Sequence, residues 1–144
     1  MNVAKIMIPK AKTALLESTN TVRQGLEKFR FHGYTAIPVV DERGMYCGCV
    51  SEGDFLRHIL AAGTTDVKQH EHTQIKDIIR DEFCPPLRIM ASEEEVYELA
   101  LQQNFVPIVD DRNCFCGIVT RQGILRYMAE QLAEARSYAV VEAE

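Results

Sequence analysis

Between residues 21 and 63 the apolar positions change period in a way that predicts helix, strand, strand, helix. Val22, Leu26 and Phe29 recur at helical intervals behind Thr21 and Gln24, which have the spacing of a capping box, and Gly33 supplies a stop. The nearly continuous apolar run Ala36-Ile37-Pro38-Val39-Val40 predicts a strand, residues 41–44 a polar turn, and residues 46–50 a second strand. Another helix begins near Ser51, carries Phe55, Leu56, Ile59 and Leu60, and ends at Gly63. The polar residues 64–73 read as a solvated linker.

The pattern then repeats. Ala36-Ile37-Pro38-Val39-Val40-Asp41 and Gly48-Cys49-Val50-Ser51 return as Phe105-Val106-Pro107-Ile108-Val109-Asp110 and Gly117-Ile118-Val119-Thr120, displaced by a constant 69 positions. Ser92 and Glu95 form a second capping box, Val96, Leu99 and Ala100 a short helix, and a long helix runs from about Gln122. Val22 to Pro38 spans 16 positions and Val96 to Pro107 only 11, so the second copy's first helix is expected to be about one and a half turns shorter. The expected fold is α/β (α+β), with two pseudo-symmetric repeats, residues 1–68 and 69–144, packed as one module. Ligand sites are expected in the clefts between the copies.

Composition narrows the function. An apolar content of 47% and a charged content of 26% are those of a globular domain. The formal charge of −5 argues against a nucleic-acid partner. No apolar run approaches the roughly 20 residues of a membrane span, and the first residues lack a signal peptide's apolar stretch, so no membrane partner and a cytoplasmic location are expected. Five cysteines outside a small secreted context read as thiols. Cys47 with Cys49, and Cys114 with Cys116, are spaced more tightly than structural zinc ligands, and the repeat aligns Cys49 with Ile118 and Cys114 with Met45. They are therefore read as core residues, with no metal expected. His70 and His72 are read as exposed linker histidines, and His32 and His58 as charges suiting helix ends. No nucleophile elbow, phosphate loop or zinc-protease motif occurs, so no enzymatic activity and no cofactor are expected.

The twofold hydrophobic-Pro-Val-Val-Asp strand, Gly-containing turn, Gly-hydrophobic-Val-Ser/Thr strand end and following helix resemble a tandem pair of cystathionine-β-synthase-type (CBS) domains over nearly the whole chain. The resemblance implies two clefts for adenosine compounds, each built from the base pocket of one repeat and the Ser/Thr-x-x-Asp strand end of the other. The first would combine Lys12 and Ala14, Tyr34, Thr35, Ala36 and Ile37 with Thr120, Arg121 and Gln122. Lys12 and Arg121 could neutralise phosphate at a helix N-terminus. Gly123 stands where the ribose-binding aspartate is usual, which suits cyclic di-AMP, whose 3′ oxygens are already esterified. The second cleft would combine residues 87–91, Phe105 and Val106 with Ser51 and Asp54, where the ribose motif is intact but has the spacing of a helix cap.

The run Met7-Ile8, Lys12-Thr13-Ala14, Gly33-Tyr34-Thr35-Ala36-Ile37-Pro38-Val39 and Phe115-Cys116-Gly117-Ile118-Val119-Thr120-Arg121 is further similar to small stand-alone CBS pairs that serve as cyclic di-AMP receptors. Those relatives carry two arginines in tandem, and the second is Gln122 here. The expectation is a non-enzymatic regulatory module that binds cyclic di-AMP and modulates a partner protein. The resemblance implies a homodimer formed through helices and an enzyme partner such as a (p)ppGpp synthetase. The alternatives are an AMP, ADP or ATP sensor using Asp54, and an interaction module with no nucleotide ligand.

Overall fold

The computed structural model describes residues 1–143. A short helix α1 (Val3–Ile6) and strand β1 (Ile8–Pro9) precede the first copy, which comprises β2 (Leu16–Glu17), α2 (Val22–His32), β3 (Ala36–Val40), β4 (Tyr46–Ser51) and α3 (Glu52–Ala62). The second copy comprises β5 (Leu87–Arg88), α4 (Glu93–Gln102), β6 (Phe105–Val109), β7 (Phe115–Thr120) and α5 (Arg121–Ala143). The capping residues set the helix starts. Thr21 Oγ1 accepts the Gln24 N–H at 3.1 Å while Gln24 Oε1 accepts the Thr21 N–H at 2.8 Å, and Ser92 with Glu95 closes the same box. Gly33 and Gly63 end α2 and α3 in the left-handed conformation, with φ of 68° and 72°.

The expected shortening of the second copy's first helix is not observed, because α2 has 11 residues and α4 has 10. Val22 is the first residue after its cap whereas Val96 is the fourth, so matching these two valines misaligns the helices. The caps are the equivalent points. Pro38 and Pro107 fall in strands where β2 and β5 reach only the last two residues of β3 and β6, so each proline has one paired neighbour and its missing N–H is tolerated.

Two sheets form, β2-β3-β4 and β1-β7-β6-β5. The repeated motif divides the chain linearly, but the cores exchange segments across that division. Strand β1 pairs antiparallel with β7, Ile8 opposite Ile118, and Val3, Ile6 and Met7 pack into the second core with Val96, Val106, Ile108 and Val119. In return, Ile75 is fully buried in the first core with Val22, Phe29, Ile37 and Phe55. Residues 73–76 are stitched along residues 18–22 by the bonds Val22 N–H to Thr73 O, Ile75 N–H to Asn20 O and Lys76 N–H to Ser18 O. The polar segment 64–73 is therefore not a freely solvated linker. It holds a 3-10 turn, Val67–Glu71, that buries His70 and pairs Glu71 with Arg23.

The two hairpin turns meet. Tyr46 N–H donates to the Asn113 carbonyl and Phe115 N–H to the Gly44 carbonyl, both at 3.0 Å, and these bonds exchange under the 69-residue repeat. Gly44 and Asn113 adopt matching left-handed conformations, φ 81° and 67°. The motif aspartates build these turns: Asp41 Oδ1 accepts the N–H groups of Arg43 and Met45, and Asp110 Oδ1 those of Arg112 and Cys114. Val40, Tyr46, Cys49, Cys84, Val109 and Phe115 fill the space between the copies as a third apolar cluster.

Gly117 gives the crossing strand its room, since a Cβ there would overlap the Ile8 carbonyl oxygen and lie 2.8 Å from Met7 Cγ. Gly117→Ala is expected to cost about 1–3 kcal/mol through displacement of β1. Urea unfolding reads this directly, and a loss below about 0.5 kcal/mol would show that β1 docks without that close approach.

Candidate functional site

The sheet registers define equivalent positions in the two clefts. Leu16 opposite Val39 corresponds to Leu87 opposite Ile108, so residues before β2 map to residues before β5 by 71 positions, whereas strand ends map by 69. Lys12 therefore corresponds to Phe83, Ala14 to Pro85, Thr35 to Asn104, Ala36 to Phe105, Arg121 to Glu52 and Gly123 to Asp54.

Of the residues expected to form the first cleft, Lys12 closes a 3-10 turn, Lys10–Lys12, that follows β1 and packs along β7. Thr13 Oγ1 donates to the Pro9 carbonyl at 2.9 Å and pins this turn, leaving Lys12 exposed and Ala14 half-buried. Because β1 runs antiparallel to β7, from Ile118 toward Gly117, the chain leaves β1 heading away from the strand end that holds Thr120. Thr35 is exposed, with its carbonyl accepting the Glu52 N–H at 3.1 Å, and Ala36 is half-buried. The Tyr34 ring stacks on His32 at 5.2 Å. Ile37 is different: its side chain is fully buried in the first core, so only its backbone can face a ligand.

Thr120, Arg121 and Gln122 open α5. The Thr120 hydroxyl accepts the Gly123 N–H at 3.0 Å as a helix cap, and Gln122 is exposed in the first turn. The Arg121 side chain turns toward α4, with Nε donating to the Ala100 carbonyl at 2.8 Å and Nη2 reaching the Leu101 carbonyl at 3.5 Å. A cation there satisfies the orphan carbonyls of a helix C-terminus that has no glycine cap. The same guanidinium borders an apolar groove of about 640 Å³ between α4 and α5, lined also by Leu101, Ile124, Leu125 and Met128.

The second cleft is organised around a buried carboxylate. Asp54 is 2% exposed. Its Oδ2 accepts the Ser51 N–H at 2.8 Å and the Ser51 hydroxyl at 2.9 Å, while Oδ1 accepts Arg57 Nη2 at 2.6 Å and Arg80 Nε at 2.9 Å. The Arg80 guanidinium also lies 3.8 Å over the Phe83 ring. The capping role anticipated for Ser51 and Asp54 is thus present, reinforced by two arginines that pattern reading missed. Residues 87–91 do not join this cleft: Leu87 and Arg88 pair with Ile108 and Val109, at the opposite end of β6 from Phe105. The adjoining segment is instead residues 83–85, tied to the start of β6 by Gln103, whose Nε2 donates to the Pro85 and Phe105 carbonyls at 3.2 and 3.0 Å. Val106 is buried in the second core and Phe105 packs into the central cluster, so neither presents a free side chain.

Two polar clusters lie elsewhere. The Tyr46 hydroxyl donates to the Cys84 carbonyl at 2.5 Å and lies 3.3 Å from Cys49 Sγ, and burial pushes the Tyr46 phenol far above its ordinary range. Among the described residues, no group of three or more potential ligands converges to hold a metal ion. His58 and His70 are not isolated exposed charges, because His58 Nε2 lies 3.0 Å from His70 Nδ1 and His70 Nε2 3.0 Å from the Thr64 carbonyl. The carbonyl can only accept, so His70 Nε2 carries a hydrogen, and in the neutral pair His58 donates to His70 Nδ1.

Two helix–strand–strand–helix copies, joined turn to turn, make this a tandem CBS pair, the expected fold. The chain belongs to the CBS domain family, which it matches twice, over residues 3–61 and 84–130. It is 22% identical over 130 residues to cyclic di-AMP receptor B of Bacillus subtilis (strain 168), covering 90% of this chain and 88% of that protein. The fold also matches a crystal structure of CbpB in complex with c-di-AMP, with a TM-score of 0.86 at 20% identity, covering 96% of this chain and 91% of the other. The Listeria monocytogenes CbpB complex with c-di-AMP matches with a TM-score of 0.79 at 25% identity, covering 92% of this chain and 98% of that one.

Burial, and then the neighbouring His70, lower the His58 pKa from its ordinary value of 6.5. The folded state favours neutral His58, so its contribution is complete above about pH 6.5 and is lost as pH falls from there toward the depressed value. Stability measured between pH 7.5 and about 5.5 is expected to fall less steeply in His58→Gln than in the wild type. Equal slopes would show that the histidine pair does not couple to folding.

Proposed function

We propose that this chain is a non-enzymatic regulatory module whose first cleft binds cyclic di-AMP and thereby modulates a partner protein. The observation that carries the reading is the asymmetry of the strand ends: Arg121 and Gly123 follow β7 where Glu52 and Asp54 follow β4. A phosphodiester needs positive charge and no carboxylate, which is what the first cleft offers through Lys12, Arg121 and the N-terminus of α5. Thr120 caps that helix, Thr35 and the backbone of Ala36 and Ile37 would read the adenine edge, Ala14 and Tyr34 would pack beside it, and Gln122 would donate an uncharged hydrogen bond. Relatives with c-di-AMP bound support this choice of ligand.

Regulation follows from Arg121. To reach phosphate, its guanidinium must leave the Ala100 and Leu101 carbonyls, uncapping α4 and altering the rim of the apolar groove. The ligand then has different affinities for two arrangements of that face, as any ligand-driven switch requires. Exposed Leu101, Leu125 and Leu132 on this side, and Phe31, Leu56 and Leu60 on the first copy, suit a homodimer or a partner enzyme, with a (p)ppGpp synthetase as the candidate from resemblance. A cytoplasmic setting fits such a role. The rival AMP, ADP or ATP sensor would use Asp54, whose oxygens are already engaged by Ser51, Arg57 and Arg80.

Calorimetry with cyclic di-AMP is expected to give one binding event in the first cleft, weakened roughly 10- to 100-fold by Arg121→Ala or Lys12→Ala and little changed by Asp54→Ala. AMP or ATP binding that depends on Asp54 would overturn the assignment. Absence of binding by any of these nucleotides would favour the interaction module.

A further inference from the structure

The repeat relates the two expected clefts, yet the second already contains a flat, hydrogen-bonding group. Arg80 stacks on Phe83 at 3.8 Å and donates to Asp54 at 2.9 Å, with its Nη2 3.5 Å from the Ser51 hydroxyl. An adenosine in this cleft would use the same partners, an aromatic face for its purine and a carboxylate for its 2′ and 3′ hydroxyls. The residue equivalent to Arg80, 71 positions earlier, is Pro9, which is held in β1 opposite Gly117 and has no side chain that could do this.

We propose that Arg80 is a built-in occupant of the second cleft, and that it excludes an uncharged nucleoside with a free 2′,3′ diol. A tethered side chain competes intramolecularly, at an effective concentration of about millimolar or more, so a free nucleoside must break the Arg80 contacts before it can bind. The class of excluded ligand follows from two carboxylates. Asp54 matches a diol, and Glu52, at the position equivalent to Arg121, disfavours a phosphate. Arg57 does not share the role: it reaches Asp54 at 2.6 Å from the next turn of its own helix and is 57% exposed, whereas it is Arg80 that lies over Phe83. This deepens the proposed function, because it makes the module respond through a single cleft.

The test is calorimetry with adenosine on protein first saturated with cyclic di-AMP, which reports the first cleft separately. Wild type is expected to bind no adenosine in the concentration range where Arg80→Ala gains one equivalent per chain, a difference of at least about tenfold in affinity. That gain disappears with 3′-deoxyadenosine, and Arg57→Ala does not reproduce it. Should Arg80→Ala fail to fold, the shorter neutral Arg80→Gln carries the same expectation. Cyclic di-AMP binding without any adenosine gain in these variants would sink the inference while leaving the first-cleft reading intact. Adenosine bound to wild-type protein beside cyclic di-AMP would also overturn it. An adenosine gain without cyclic di-AMP binding would uphold the inference and refute the ligand assigned to the first cleft.

Discussion

Two reciprocal backbone hydrogen bonds, Tyr46 to Asn113 and Phe115 to Gly44, tie the hairpin turns of the copies together. Everything that resembles a site follows from that pairing. It requires each turn to place one residue in the left-handed region, which Gly44 does without a Cβ and Asn113 with a side chain that bonds the Tyr46 carbonyl at 3.3 Å. It also gathers Tyr46, Cys49, Cys84 and Phe115 into one apolar cluster, so the interface between copies is a core rather than a wet contact. The repeat symmetry then gives each strand end of one copy a counterpart in the other.

Segment exchange makes this pairing hard to undo. Val3 is buried in the second core and Ile75 in the first, where a Cβ on Gly25 would come within 2.7 Å of Ile75 Cδ1 and 2.9 Å of Phe55 Cζ. Separating the copies would strip both segments from apolar surroundings, at roughly 1.5–3 kcal/mol for each buried aliphatic side chain. Neither copy has a complete core of its own.

The hairpin strands of each copy, three capping boxes and both glycine stops were legible because they rest on contacts within a few residues, whereas β1, β2 and β5, each two residues long, were not. The duplication and its motif were legible for the same reason, and Asp41 and Asp110 show that part of the motif encodes turns. Helix length was misjudged where an apolar residue, Val96, served as the anchor in place of the cap Ser92. The roles of Arg80, His70 and Ile75 were hidden, because each depends on a polar-looking segment folding back onto the first copy. His70 lies in the polar stretch 64–73, and Ile75 and Arg80 follow it between the two copies of the motif. Only the tertiary path decides that His70 is buried against His58 and that Arg80 meets a carboxylate 26 residues away.

A duplicated backbone offers two similar concavities, and single side chains decide what each can hold. At the second, a buried carboxylate is affordable because two arginines and a serine surround it. Removing both arginines would leave the buried charge without a countercharge, whereas either alone still supplies one. At the first, Gly123 leaves no carboxylate to compensate, and Arg121 can spend its donors elsewhere. It spends them on the carbonyls of α4, whose helix end carries about half a negative charge. A phosphodiester carries a full one, so on the proposed reading the guanidinium has two competing acceptors, one structural and one brought by the ligand. That competition needs no rearrangement of either core. It requires only that one arginine sit between a helix C-terminus and a helix N-terminus, which is where the close of β7 into α5 places Arg121.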